Sequence, residues 1–329
     1  MLCIKDLTVE FKTSRGMARA VDGVSISLAR RRVLGIVGES GSGKSTLLLA
    51  VMGLLPRATS RVRGEIFFEN GDLLSMPADQ LRKIRGKDIG MVFQDPMATL
   101  NPVYSVGDQV LEVLRVHNYR QPGEVRERSA GRERKKRVLQ LMQEVGIPSP
   151  DKRYGEFPHQ FSGGMQQRIL IAIALACEPR LLLLDEPTTA LDVTIQAQIV
   201  DLLRGINARH EASMILVTHN MALAAEFCHD IAVMYAGRIV ETGPVDVVMH
   251  DPFHPYTRGL LKCLPRIGRR EKLEVIPGTI PDLISLPAGC CFADRCPEAI
   301  DVCFDRPPEP GRIGENHYSL CHRAAGECS

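Results

Sequence analysis

The chain has 329 residues, a length that accommodates about two domains. Hydrophobic residues make up 44% of it and charged residues 24%, the balance of a folded globular chain, so wholesale disorder is excluded. Lys and Arg number 41 against 39 Asp and Glu, and the resulting net charge of +2 leaves no electrostatic footprint for general nucleic-acid binding.

In chain order, apolar runs broken by turn residues predict strands at Leu2–Phe11, Val24–Leu28, Val33–Val37, Glu65–Phe68 and Ile89–Phe93. Gly64, Asn70 and Gly71 punctuate them. From about Ser105 to Gly146 the pattern turns helical, with a basic stretch over Arg126–Arg137 that reads as a solvated face. A helix is expected over Gly163–Cys177. Leu181–Leu184, Ser213–Thr218 and Ile231–Tyr235 read as strands covered on both faces, separated by helices near Ile195–Ile206 and Met221–Phe227. Strands alternating with helices predict an α/β core with a largely parallel sheet. After Pro244 the chain is rich in Pro and His, and after Gly268 in Pro and Cys, which places a boundary near residue 268. There is no internal repeat and no low-complexity segment.

No apolar run nears the roughly 18–20 residues that span a bilayer. The longest, Ile169–Cys177, closes at Glu178. Met1–Asp6 lacks a basic region followed by a long apolar core, so the chain is expected to stay in the cytosol, with any membrane role peripheral. Cys3, Cys177, Cys228 and Cys263 are scattered, whereas Cys290, Cys291, Cys296, Cys303, Cys321 and Cys328 crowd the C-terminal end. In a cytosolic chain such a cluster points to metal binding or redox chemistry.

Strand Val33–Val37 runs into Gly38-Glu39-Ser40-Gly41-Ser42-Gly43-Lys44-Ser45-Thr46, followed by a predicted helix Leu47–Met52. This is G-x-x-x-x-G-K-[ST] in the strand-to-helix context that the motif needs. Glycines let backbone N–H groups turn onto phosphate oxygens, and the helix adds its positive end. Lys44 is expected to reach the β and γ phosphates of a nucleotide, and the Ser45 hydroxyl to ligate Mg²⁺. Leu181–Leu184 then ends in Asp185-Glu186-Pro187, two acids at the C-terminal end of a buried strand, where open α/β sheets bind ligands. Asp185 is expected to hold Mg²⁺ through water, and Glu186 to polarise the attacking water as general base.

Between these elements lie Gln94 and Phe161-Ser162-Gly163-Gly164-Met165-Gln166-Gln167-Arg168. Here the chain resembles the ATP-binding subunits of ABC transporters. The Ser-Gly-Gly segment is similar to that family's signature motif, with Met165 where the wider family usually has Gln. The resemblance implies that Ser162, Gly163 and Gly164 bind the γ-phosphate of ATP held by an opposite subunit. It further implies that Gln94 senses Mg²⁺ and the attacking water and couples to membrane subunits. Thr189-Ala190-Leu191-Asp192 resembles the D-loop that crosses the dimer interface, and His219 the switch histidine at the γ-phosphate. Phe11 is the candidate for stacking on adenine, with a core Phe as the alternative reading. Gly38–Ser45, Phe93–Pro102 and His254–Leu261 resemble one branch in particular, the oligopeptide/dipeptide and nickel importers.

The resemblance implies an α/β fold: a P-loop ABC-type nucleotide-binding domain over residues 1–268, with a mixed sheet and an inserted helical subdomain at about 95–178. A small Cys-rich C-terminal extension follows over 269–329. It implies ATP hydrolysis energising peptide import, with nickel or another small solute, or a non-transport ABC-type ATPase, as alternatives. A redox or metal-sensing regulator is a further alternative. The implied partners are a second, identical or homologous ABC ATPase, two membrane permeases and an extracytoplasmic solute-binding protein, with no nucleic acid. The implied location is the cytoplasmic face of the inner membrane.

The spacing Cys290-x5-Cys296-x6-Cys303-x17-Cys321 resembles the tail of peptide-importer ATPases, where four thiolates are associated with a [4Fe–4S] cluster. Soft thiolates select Fe–S clusters or Zn, and no spacing here is the C-x2-C of a zinc ribbon. A loose thiol set without metal stays open, as does Cys291 in place of Cys290. Cys328 is expected as a free thiol.

Overall fold

Residues 2–28 alternate apolar and polar side chains, and they form a long hairpin. Strands β1 (Leu2–Thr13) and β2 (Gly16–Leu28) pair antiparallel from Leu2↔Leu28 to Thr13↔Gly16. The sequence expectation began the second strand at Val24. Arg19 reads as a loop residue in isolation, but the extended Val9–Thr13 backbone offers this stretch a pairing partner, with Arg19 opposite Glu10 and Val21 opposite Val9. The computed structural model describes residues 1–118, 130–264 and 275–324.

Strand β3 (Val33–Val37) is buried at all five positions and leads into helix α1 (Lys44–Met52). Strand β4 (Ser60–Phe68) pairs antiparallel with β1, and the two-residue β5 (Gly71–Asp72) with β4. Next come α2 (Ala78–Ile84), β6 (Ile89–Val92), α3 (Pro96–Thr99), α4 (Val106–Val116), α5 (Ala130–Glu144), α6 (Pro150–Arg153) and α7 (Gly163–Leu175). Strand β7 (Leu181–Asp185), α8 (Val193–His210) and β8 (Ser213–Thr218) follow. The last stretch holds α9 (Met221–Phe227), β9 (Asp230–Tyr235), β10 (Arg238–Pro244), α10 (Val245–His250) and α11 (Pro255–Lys262). It closes with α12 (Val302–Asp305), β11 (Pro310–Gly314) and β12 (His317–Leu320).

The described chain divides into two compact units. The first joins Met1–Met76 to the residues from Leu216 onward. It holds one antiparallel sheet, ordered β2-β1-β4-β5. It also holds the strands β11-β12-β10-β9-β3 and the last residues of β8. β3 and β9 are parallel, while β9–β10, β10–β12 and β11–β12 are antiparallel, so the sheet is mixed. The rings of Tyr235, Tyr256 and Phe292 meet within this unit's core at centroid distances of 4.6, 5.3 and 5.4 Å. Aromatic rings at such spacings add to the area they bury.

The second unit is Pro77–Ile215. Its strands run β8-β7-β6, with β6 and β7 parallel in the register Ile89↔Leu181 to Val92↔Leu184. Helices α4, α5 and α7 pack on one another through Leu114, Leu141, Ile169 and their neighbours, each essentially buried.

The cysteine-rich end contains strands that the sequence pattern did not assign. Pro310, Gly311 and Gly314 read as turn formers, yet β12 pairs with β10 at Glu241↔Ser319 and Thr242↔Tyr318, and β11 pairs with β12. Tertiary pairing overrides weak β-propensity here. The boundary near residue 268, the thiol of Cys328 and the Arg126–Arg128 part of the basic stretch lie outside the described residues.

Candidate functional site

In the first unit, β3 delivers the chain into a loop whose shape only glycine permits. Gly43 has φ +102°, and a Cβ there would lie 2.1 Å from the Ala20 carbonyl oxygen. A Cβ on Gly38 would lie 2.1 Å from the Met234 carbonyl oxygen. Gly43 occupies the N-cap position of α1 and brings no side-chain oxygen to the helix's first amides. Lys44 is buried at 4% exposure, and its Nζ donates to the carbonyl oxygens of Gly38 and Glu39 at 2.9 and 2.8 Å and to Ser42 Oγ at 3.4 Å. Carbonyl dipoles of the loop thus help to solvate this ammonium, and glycines at Gly38 and Gly43 leave the backbone free to turn N–H groups toward an anion. Ser40, Gly41, Ser42, Ser45 and Thr46 belong to the same loop and helix start.

Two other residues from the sequence analysis fall in this unit. His219 follows β8 directly and is exposed, next to Asn220, which caps α9 by accepting from the Ala222 and Leu223 amides. Phe11 sits in β1, half-buried, paired with Ala18 on one side and Ser60 on the other.

In the second unit, parallel register sets the acid site. Val92 lies beside Leu184, so the chains leaving β6 and β7 run on together. Two residues later, Gln94 Nε2 donates to Glu186 Oε2 at 3.2 Å. Thr189 Oγ1 donates to the same oxygen at 2.7 Å. Glu186 adopts φ +45°, a left-handed backbone that costs a non-glycine residue roughly 1–3 kcal/mol and recurs where function requires it. Asp185, the last residue of β7, is 6% exposed.

The same unit contains two capped helices from the predicted set. Ser162 caps α7, its Oγ accepting from the Met165 amide at 3.4 Å. Gly164 admits no side chain there, since a Cβ would lie 2.7 Å from Ile195 Cγ2. Asp192 caps α8, accepting from the Ile195 amide at 3.0 Å.

Cys290, Cys296, Cys303 and Cys321 all line one cavity of about 20 Å³ in the first unit, room for about one water molecule. Among the described residues no three His, Cys, Asp or Glu side chains are arranged to hold one metal ion. Burial pushes the Cys290 thiol up to about 12 and Cys296 to about 11, and raises Cys291 as well. Burial thus favours the protonated thiol at these three positions. The residues fit a [4Fe–4S] cluster in donor chemistry and not in spacing, so the expectation of a cluster gains no support from this arrangement. Cys291 does not line that cavity.

The sequence analysis missed several contacts. The sequence named Thr189 without its bond to Glu186, and did not point to Arg295, which reaches Glu39 from 256 residues away. Nothing local in the sequence signals the second. Shape alone misleads too. A cleft of the first unit, about 960 Å³, is lined by residues such as Lys5, Asp22, Arg32 and Arg238 and by no residue of the Gly38–Thr46 loop. Its charges are compensated in place, Arg32 by Asp230 and Arg238 by Asp22.

Residues 21–189 match the ABC transporter family. The chain belongs to that family. Its activity as a cassette is ATP hydrolysis. Residues 240–303 match a second family, the oligopeptide/dipeptide transporter C-terminal region. The cassette is 46% identical to the oligopeptide transport ATP-binding protein OppD of Bacillus subtilis, over 97% of this chain and 87% of that one. It is 43% identical to the dipeptide transport ATP-binding protein DppD of Escherichia coli, over 98% and 96%. Among solved structures it is similar to a dimeric ATP-binding cassette in a post-hydrolysis state bound to ADP and Pi. That match has a TM-score of 0.65 at 30% identity, covering 74% of this chain and 99% of the other. A cassette of Clostridium perfringens, part of the ABC transporter complex cbiONQ, matches with a TM-score of 0.61 at 28% identity, over 76% and 90%.

Proposed function

We propose that the chain is the ATP-hydrolysing subunit that energises an importer of oligopeptides or dipeptides. The observation that carries this reading is the joining, in one chain, of a cassette to the C-terminal region of oligopeptide/dipeptide transporters over residues 240–303. Names of the relatives point the same way.

Gly38, Ser40, Gly41, Ser42, Gly43, Lys44, Ser45 and Thr46 receive the phosphates, with Lys44 exchanging loop carbonyls for β and γ phosphate oxygens. Ser45, Gln94 and Asp185 are the oxygen donors for Mg²⁺, which neutralises phosphate charge when bound. Glu186 takes the proton from water as that water attacks the γ-phosphorus. Thr189 and Gln94 fix its carboxylate and so set the direction of proton transfer. His219 contacts the γ-phosphate, and Phe11 stacks on adenine. Ser162, Gly163, Gly164 and Asp192 serve ATP across an interface with a second cassette.

Such a pair drives transport only if closure is tighter with ATP than with its products, because a ligand shifts an equilibrium by differential affinity alone. The proposed partners are a second cassette, two permease subunits and an extracytoplasmic solute-binding protein. The proposed location is peripheral, on the cytoplasmic face of the inner membrane. Among the described residues no helix is long and apolar enough to cross a membrane. Met97, Val103 and Tyr104, shortly after Gln94, are 79%, 72% and 58% exposed and offer apolar surface to a permease.

For a tail cluster only the donor chemistry of the four thiols speaks, and iron and sulfide analysis of anaerobically purified chain tests it. The importer reading is tested by purifying the chain with its permeases in detergent and measuring ATPase activity with the binding protein and peptide. Peptide-stimulated turnover that Lys44→Ala abolishes is expected. Stimulation by nickel but not peptide, or no permease association, refutes the peptide assignment.

A further inference from the structure

The geometry points to a new role for the cysteine-rich tail: we propose that Arg295 is a positioning residue for nucleotide binding, holding the phosphate loop in shape through Glu39. The inference rests on the reading that residues 38–46 receive the phosphates of ATP.

Arg295 ends the short turn Ala293–Arg295, immediately before Cys296. Its side chain is only 6% exposed, and a buried guanidinium must be satisfied at every donor. It is. Nε donates to the Pro277 carbonyl at 2.7 Å. Nη1 donates to Glu39 Oε2 at 3.1 Å and to the Tyr235 hydroxyl at 3.3 Å. Nη2 donates to Glu39 Oε1 at 3.2 Å and to the Ile276 carbonyl at 3.3 Å. All five N–H groups are used, and two of them grip both oxygens of one carboxylate, a geometry that fixes orientation as well as charge. The guanidinium also lies 5.6 Å from the Tyr235 ring centroid and 5.9 Å from that of Phe292. Burial lowers its pKa and the hydrogen bonds to Tyr235 and Glu39 outweigh that effect.

Glu39 is the second residue of the phosphate loop. It is held at its carboxylate by Arg295 and at its backbone, where its N–H donates to the Tyr256 hydroxyl at 3.0 Å. Its carbonyl in turn accepts from Lys44 Nζ at 2.8 Å. A continuous line of hydrogen bonds therefore runs from the tail through Glu39 to the lysine that meets phosphate. Glycine-rich loops lose much backbone entropy on ordering. A loop already fixed from outside binds with less of that loss, the general effect of preorganisation. Simple anchoring of the tail needs no carboxylate from the phosphate loop, whereas positioning predicts that the link acts on nucleotide affinity.

The test is steady-state ATPase and Mg·ATP binding by the full chain, with thermal unfolding alongside. Arg295→Gln is expected to raise KM and Kd for ATP about tenfold, with kcat changed less than about twofold. Arg295→Lys, which retains charge but not the two-pronged grip, is expected to recover part of the loss. Glu39→Gln is expected to reproduce the Arg295→Gln effect, and the double variant to be no worse than either single one. Unchanged KM in Arg295→Gln overturns the proposal, as does a fall in Tm or kcat with KM intact. Strictly additive losses in the double variant also overturn it. Should Arg295→Gln not fold, Glu39→Gln and Arg295→Lys carry the same comparison. Absence of ATP binding by the unsubstituted chain marks failure of the phosphate-loop reading instead.

Discussion

Glu241 offers the sharpest test of how the C-terminal strands hold the first unit together. Its side chain is fully buried, and its two oxygens accept from three donors. His317 Nε2 of β12 lies at 2.7 Å, the Phe253 amide at 2.8 Å and the His254 amide at 3.0 Å. An ionised carboxylate only accepts, and it pairs with the His317 ring when Nε2 carries the proton. Glu241→Ala strands three donors, two of them backbone groups that cannot turn away. Hydrogen bonds to a charged group contribute about 1.5–3 kcal/mol each, though water entering the space offsets part of the loss. Breaking one member of a buried charged network costs about 3–5 kcal/mol, and we expect destabilisation in that range. Urea unfolding of the full chain followed by circular dichroism measures it. In a double-mutant cycle with His317→Ala, about 1–3 kcal/mol of coupling is expected. A loss below about 1 kcal/mol, the level of an ordinary surface substitution, would refute the reasoning.

Other outcomes test the site. Glu186→Gln is expected to keep ATP binding and lower kcat at least about 100-fold; undiminished turnover removes Glu186 as the base. Gly43→Ala meets both a left-handed backbone and the Ala20 carbonyl. It is expected to cost about 2 kcal/mol or more and to lose nucleotide affinity, read by thermal shift and nucleotide titration. Glu144 is held below the ordinary carboxylate value of 4.5 chiefly by its hydrogen bond to His210, against burial, with Arg209 and Arg137 adding to the effect. The group ionises more readily folded than unfolded. Its contribution is therefore complete above about pH 4.5 and disappears as pH falls through the folded value. Glu144→Gln is expected to lower stability near neutral pH by about 1 kcal/mol, and its unfolding midpoint should converge on the parent's in acid.

The phosphate loop was legible because its chemistry is local: glycines, a lysine and a hydroxyl at fixed spacing between strand and helix. Strands β3, β7 and β8 were legible because burial on both faces leaves continuous apolar runs. β10 to α11 went unassigned, since Gly243, Pro244 and Pro255 interrupt any period, and β11 and β12 exist through pairing that the sequence does not display. Pairing between distant segments also brings Gln94 to Glu186. The sequence named both residues, and the parallel register of β6 and β7 explains their meeting. The strained backbone of Glu186 and the reach of Arg295 to Glu39 had no local signature at all.

The pairing of β12 onto β10 has a consequence for shortened chains. Without it, β10 would be the outermost strand and present a row of free N–H and C=O groups, a template for self-association. The strand that ends the sheet instead is β11, which starts at Pro310 and carries Gly311 and Gly314, a poor surface for further growth. A chain cut before Pro310 is therefore expected to aggregate more readily than the full chain even where its ATP loop is intact, as light scattering of the two would show.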